Sequence, residues 1–299
     1  MQSTTKTYNQ SFLATVSLFF KHMAALTKMR LSLLVVFSAD IAYLFALDTF
    51  SWQKLILISI AGYLITGASN AINQIYEKES DKLMDRTKSR PLPSNQMSVI
   101  TATIIAGVFG VGGISLLAIY FNIFSGLLGA LALISYAFIY TPFKKISPIA
   151  VFIGAIPGAM PLLIGWTAAT NSIGLGGVLL FTIQFFWQIP HFWAIAWVLD
   201  DDYKKAGFSL LPSAEGRTRG AALQNIPYLV GLIIVSCLPY YLGLTGAISC
   251  IVLVLIGMFY LWKGVQLATD LSLKSAKQLM FASFIYLPIA FIALLIDKI

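Results

Sequence analysis

Charge is scarce in this chain. Of its 299 residues only 11% are Asp, Glu, Lys or Arg, while 58% are hydrophobic, a balance that excludes an ordinary soluble domain. Cysteine occurs twice, at Cys237 and Cys250, both inside apolar stretches. Their spacing fits no zinc or dithiol motif, so both read as small core residues. Histidine is equally rare, at His22 and His191. Residues 1–30 hold no compact apolar core ending in a small-residue cleavage site, and Lys21 and His22 interrupt the apolar run of 12–20. No cleavable signal peptide is therefore expected. No arginine precedes Arg30, which disfavours an organelle transit peptide and points to a bacterial inner membrane over a mitochondrial one. Short repeats, low-complexity tracts and a second domain are also missing.

What is present is a series of apolar stretches, each long enough to cross a bilayer, which takes roughly 20 residues. They lie at about 31–48, 54–76, 98–120, 122–140, 147–169, 174–199, 221–241, 243–262 and 278–296. The expected fold is all-α, a polytopic membrane bundle of nine transmembrane helices. The net charge of +8 invites a nucleic-acid reading, but its distribution argues against one. With the N-terminus in the cytoplasm, 18 of the 20 basic residues fall on one side, leaving Lys54 and Lys298 opposite. This is the positive-inside bias of membrane proteins. Residues 1–30 read as a cytoplasmic or interfacial segment, with Ser11 to Met23 lying along the lipid surface as an amphipathic helix. Residues 31–299 read as one transmembrane domain.

The chemistry gathers on the basic side, first in Asn73 to Pro93. Asn73, Glu77 and Asp81 are four apart, which on a helix stacks them on one face, each about 40° round from the last. Oxygen donors so placed suit Mg²⁺, which is usually bound by one or two carboxylates plus substrate phosphates. Arg86 and Arg90 would follow about one and two turns further on if the helix continues, and their guanidinium groups suit phosphate. The plainer alternative is a solvated helix end. Tyr140-Thr-Pro-Phe-Lys144-Lys145 closes the fourth span, as a phosphate clamp or a simple positive-inside anchor. Gly154, Pro157, Gly158, Pro161 and Gly165 crowd the fifth; a straight helix is not expected there, and the alternative is close helix packing. In the sixth, Gln184, Gln188 and His191 could share a polar face, and an ionisable group inside a membrane is a functional suspect. A satisfied core histidine is the other reading. Pro190 should loosen that helix. Asp200, Asp201 and Asp202 end it, and one or two of them could complete a metal site. Asp40 is an isolated acid in the first span.

These residues resemble the first signature of the UbiA superfamily of intramembrane prenyltransferases. The match runs through Asn73, Glu77, Asp81, Met84, Arg86, Thr87, Arg90 and Pro91, with Glu77 where many members have Asp. Leu26-Thr27-Lys28, Tyr140-Thr141, Pro157-Gly158-Ala159, Pro190-His191-Phe192-Trp193 and Asp202-Tyr203 look like its protohaem IX farnesyltransferase branch. The second Asp-x-x-x-Asp motif of the quinone and chlorophyll branches is absent, since Lys204 stands four after Asp200. The resemblance implies transfer of the farnesyl group of farnesyl diphosphate to a vinyl group of haem b. It implies Asn73, Glu77 and Asp81 as catalytic residues and Mg²⁺ held by Glu77, Asp81, Asp201 and Asp202. Arg86, Arg90, Lys144 and Lys145 would bind diphosphate, Tyr76 and Tyr140 would stabilise the allylic cation, and His191 and Trp193 would contact haem. Membrane lipid and haem A synthase or oxidase assembly factors are the implied partners; nucleic acid is not. The competing readings are a prenyltransferase acting on a quinone precursor and, from another class, a multi-span transporter.

Overall fold

The computed structural model describes residues 2–213 and 215–299, with side chains from Ala14 onward. Among these residues there is no strand, only an isolated bridge between Thr245 and Lys298. Helix α1 (Gln2–Leu26) covers the expected surface segment, of which the side chains of Ser11, Phe12 and Leu13 lie outside the described residues. A left-handed turn at Lys28, with φ of 47°, leads into α2 (Met29–Ala46). Helices α3 (Trp52–Tyr76) and α4 (Lys78–Leu83) follow, then α5 (Val99–Tyr120) and α6 (Ile123–Ile134). A π-helical turn, Ser135–Tyr140, and the short α7 (Thr141–Phe143) complete the fourth span. Then come α8 (Ala150–Thr170), α9 (Leu175–Val198), α10 (Asp200–Lys205), α11 (Arg219–Leu223), α12 (Asn225–Tyr241), α13 (Ala247–Asp270) and α14 (Leu273–Ile296).

Nine of these segments among the described residues are long and apolar enough to cross a membrane, matching the nine expected. Side-chain caps set several of their starts. Ser51, Ser98, Asn122 and Ser272 each accept the backbone N–H three residues on, satisfying a donor that the first helical turn leaves free. The eighth span runs past its apolar stretch to Asp270, and the ninth begins early, at Leu273. Polar residues such as Lys263, Gln266 and Lys274 do not end a helix; they carry it out of the apolar layer.

The two most buried spans are α8 and α9, so whatever they carry faces protein. The helix of α8 continues through Pro157 and Pro161, and that of α9 through Pro190. Its small residues serve packing instead. A Cβ on Gly165 would collide with the carbonyl oxygen of Ala39, so glycine is what lets α2 lie against α8. Trp193 and Trp197 of α9, Tyr260 of α13 and Tyr286 and Phe291 of α14 fill the core on the other flank of α9.

Candidate active site

The site begins at the end of α3. Asn70, Asn73 and Gln74 of one face grip the turn between α1 and α2: Gln74 Nε2 donates to the carbonyls of Ala25 and Leu26, and Asn70 Nδ2 to that of Thr27. Lys28 Nζ donates to Asn73 Oδ1 at 3.0 Å, and Asn73 Nδ2 donates to Thr141 Oγ1 at 3.2 Å. Asn73 thus ties the second span to the first and fourth through both ends of its amide.

Glu77 sits at the kink between α3 and α4, with φ −92° and ψ 5°. The backbone bonds Glu77 N to Asn73 O and Asp81 N to Glu77 O keep helical spacing across it, so Asn73, Glu77 and Asp81 stay on one side as expected. The helix does not continue towards Arg90. It ends at Leu83, where Thr87 Oγ1 donates to the carbonyl of Asp81 and Met84 is buried against Ala206 and Phe208. The chain then folds back, and Arg90 reaches Asp81 Oδ2 at 2.8 Å. Lys144 pairs with Glu77. Both ion pairs are largely buried. Burial presses the Lys144 ammonium down, but neighbouring Glu77 overrides this and leaves it above the usual lysine range. Lys28 has no such neighbour in contact: burial pushes it down to about 7, and the charges of Arg90 and Lys144 add to the effect.

Arg90 and Lys144 therefore face the carboxylates, with Lys28 beside them. Arg86 and Lys145 are exposed and do not join this cluster. Of the three aspartates, Asp200 pairs with Lys204, and Asp201 is mostly exposed and pairs with Arg217. Asp202 accepts the backbone N–H groups of Asp85 and Arg86, so it straps α10 to the loop after α4. Lys205 bridges Asp202 and Asp85, and its hydrogen bond together with that of Lys88 holds the Asp85 carboxyl down to about 2.

Glu77, Asp81, Asp201 and Asp202 are thus not gathered into one ligand set. No group of three or more His, Cys, Asp or Glu side chains among the described residues is arranged to hold a metal ion. Each aspartate of α10 is held by a local cation or backbone donor. The pair Glu77 and Asp81 still fits a hard cation. Asp81 Oδ1 is buried and has no hydrogen-bond partner among the described residues, and two carboxylates plus substrate phosphate is the usual Mg²⁺ donor set.

Beyond this polar ring a cavity of about 280 Å³ runs between α2, α3, α8, α9 and α14. Tyr136 and Tyr140 line it, their ring centroids 5.2 Å apart, and Lys144 lies over the Tyr140 ring at 5.0 Å. The π-turn aims them there. Pro142 has no N–H for the carbonyl of Phe138, the register slips by one residue, and both the N–H and the hydroxyl of Thr141 bond to Tyr136 O. The Tyr140 ring lies on bare backbone at Gly154, where a Cβ would come within 2.6 Å of it. Tyr76, the other expected aromatic, is 55% exposed and pairs with Phe138 on the outer surface.

Gln184, Gln188 and His191 all line the cavity. Gln184 Oε1 is buried without a hydrogen bond among the described residues. Trp193, two residues beyond His191, lies about 200° further round the helix. It points away from the cavity into the rings of Phe152 and Tyr228. It is a core residue, contrary to the expected haem contact. Asp40 finds its partner on α3, where Ser59 Oγ lies 3.0 and 2.9 Å from its two carboxylate oxygens.

Sequence reasoning left Lys28, Tyr136 and Ser283 out of the site. Lys28 was marked by Leu26-Thr27-Lys28 and Tyr136 by its place four before Tyr140. Ser283, which meets His191 across 92 residues, carries no local signal.

The UbiA prenyltransferase family profile matches residues 32–287. Protoheme IX farnesyltransferase of Cytophaga hutchinsonii is 46% identical over 281 residues, 94% of this chain and 98% of that protein. The protein of that name from Christiangramia forsetii is 44% identical, over 99% and 98% of the two chains. Among solved structures, one of a digeranylgeranylglyceryl phosphate synthase superposes with a TM-score of 0.78 at 20% identity, covering 93% of this chain and 98% of that one. A UbiA homologue from Archaeoglobus fulgidus bound to DMAPP and Mg²⁺ gives 0.72 at 16%, over 91% and 98%. The transporter reading falls away. This multi-pass membrane protein is an intramembrane prenyltransferase and belongs to the UbiA prenyltransferase family, on the branch whose members are named protoheme IX farnesyltransferases.

Proposed function

We propose that the protein transfers the farnesyl group of farnesyl diphosphate to a vinyl group of haem b, with water added, giving haem O and diphosphate. The observation that carries this reading is a cavity walled by Tyr140 and an intramembrane histidine, with Lys144 of the Glu77 ion pair lying over the Tyr140 ring at 5.0 Å. The ester C–O bond of farnesyl diphosphate breaks and its electron pair leaves with diphosphate. The vinyl electrons form the new C–C bond, and water adds to the carbon left positive, releasing a proton.

Glu77 and Asp81 would hold Mg²⁺, which supplies charge neutralisation of the departing diphosphate. Lys28, Arg90 and Lys144 bind its oxygens, with Arg86 and Lys145 drawing the anion towards the site from the surface. The faces of Tyr136 and Tyr140 meet the allylic carbon as it becomes cationic. The apolar walls keep bulk water from that cation. His191 faces the porphyrin. No protein nucleophile is required, because the vinyl group attacks. We assign residues 31–299 to one transmembrane prenyltransferase domain and 1–30 to an interfacial segment, in a bacterial inner membrane with the Arg86, Lys144 and Lys204 loops in the cytoplasm. Haem A synthase or oxidase assembly factors would take the product onward.

Purified protein given haem b, farnesyl diphosphate and Mg²⁺ should yield a haem that elutes later on reversed-phase chromatography, with a mass increase of one farnesyl group plus one hydroxyl. Prenylation of a quinone precursor in place of haem would replace this reading with its rival.

A further inference from the structure

We propose that Ser283 is a positioning residue for the acceptor. It holds His191 in the tautomer that presents a bare Nε2 to the cavity, as a ligand for the iron of a metalloporphyrin. This rests on the haem reading above.

His191 Nδ1 and Ser283 Oγ are 2.7 Å apart. A hydroxyl has one proton, and that of Ser283 is already given to the carbonyl of Met280 at 2.5 Å. Only lone pairs remain to face the imidazole, so Nδ1 carries the hydrogen and donates. Nε2 is then unprotonated, and it has no hydrogen-bond partner among the described residues. It belongs to a ring that is 8% exposed and lines the cavity. An unprotonated ring nitrogen in an apolar cavity, its other nitrogen donating to an oxygen, is how imidazole is prepared for a metal.

The ring is also held against rotation. Trp187 stacks on it at 4.5 Å and 17°, and Phe284 meets it edge-on at 5.3 Å. Trp187 is fixed by the same residue of α14, its Nε1 donating to the carbonyl of Ser283 at 2.9 Å. Ser283 thus sets the tautomer with its hydroxyl and one wall of the slot with its backbone. Ser283→Ala removes the first and leaves the second; because it also takes the hydroxyl away from buried Tyr260, the thermal midpoint is read beside it.

The test is absorbance titration of wild type, His191→Ala and Ser283→Ala with haem b and, in parallel, with iron-free protoporphyrin IX. Wild type should give a histidine-ligated haem spectrum that His191→Ala lacks. Ser283→Ala should weaken haem binding about 10- to 100-fold, the range for removing the outer partner of a metal-bound histidine. Its affinity for iron-free protoporphyrin should be unchanged, since that ligand needs no bare nitrogen. Binding of a non-reactive farnesyl diphosphate analogue and the thermal midpoint serve as folding controls. Equal weakening for both porphyrins would reduce Ser283 to a structural residue and overturn the proposal. So would an unaltered haem affinity and spectrum in Ser283→Ala when His191→Ala has lost them. A wild-type titration with no histidine-ligated spectrum would sink the haem reading itself, and this inference with it.

Discussion

Glu77 is held by Lys144 and Asp81 by Arg90, in pairs that water scarcely reaches. In the proposed reaction the same two cations would take diphosphate oxygens, so binding would exchange one set of anionic partners for another. Glu77→Gln and Asp81→Asn should therefore act twice. Each should lower turnover by about 10²-fold or more, as loss of a stabiliser of developing charge does. Each should also destabilise the fold, since breaking a buried pair leaves a charge unpaired, at a cost of about 3–5 kcal/mol. Activity assays alongside thermal melts in detergent separate the two; full activity in both variants would remove the metal site. Asp85→Asn, exposed and outside the cluster, should be mild. Lys28 adds a pH dependence. With its ammonium pushed down to about 7, it is largely neutral at pH 8 until a bound anion raises it again. Binding of metal-free inorganic diphosphate then takes up a proton and should weaken as pH rises from 7 to 9. Calorimetry in buffers of different ionisation enthalpy would detect that proton. Lys28→Arg, charged throughout, should flatten the profile.

At the scale of elements, glycine decides where rings and helices can lie. Gly154→Ala sets a Cβ 2.6 Å from the Tyr140 ring, and the ring must turn from the cavity mouth. We expect turnover to fall about tenfold or more with a modest change in thermal midpoint, since a misplacement of about an ångström at a reacting centre is expensive. Gly165→Ala should do the reverse. It meets the backbone of α2, far from the polar ring, and should cost about 1–3 kcal/mol of stability while the fraction that folds remains active. The positions of these elements were legible in the sequence to differing degrees. Spans read well because twenty apolar residues in lipid leave the backbone few alternatives to helix. Pro157 and Pro161 argue against a straight helix and Pro190 for a loosened one; both helices run on through them. The reversal after Leu83 was hidden because its cause is distant, Met84 seating on Ala206 and Phe208 and Asp202 gripping the backbone of Asp85 and Arg86. Spacing found Asn73, Glu77 and Asp81, whose contacts follow helical period. It misassigned Trp193 and Tyr76, whose facing depends on what stands opposite.

For the whole molecule the claim to be tested is that one end of the bundle holds all of this chemistry and faces the cytoplasm. Contacts between distant loops already join that end: Lys28 to Asn73, Lys144 to Glu77, Lys205 to Asp85 and Arg217 to the carbonyl of Trp197. At the other end Lys298 donates to the carbonyl of Leu47, and Gly246 N–H to that of Asp297, with Lys54 nearby in sequence to the first turn. The 18-to-2 division of basic residues in the sequence predicts the orientation, because lysine and arginine in short loops resist translocation. Cysteine can report it, once Cys237 and Cys250 are replaced by alanine to clear the background. Ser89→Cys, in the loop of Arg86 and Arg90, should resist an impermeant thiol reagent on intact cells and react after the membrane is permeabilised. Thr49→Cys, in the exposed turn between α2 and α3, should react in both. Both positions are exposed, so a difference between them reports the side of the membrane and not burial. Labelling of Ser89→Cys from outside intact cells would invert the orientation. It would also put the diphosphate site in a compartment without a cytosolic supply of prenyl diphosphate, and the proposed reaction would fall with the topology.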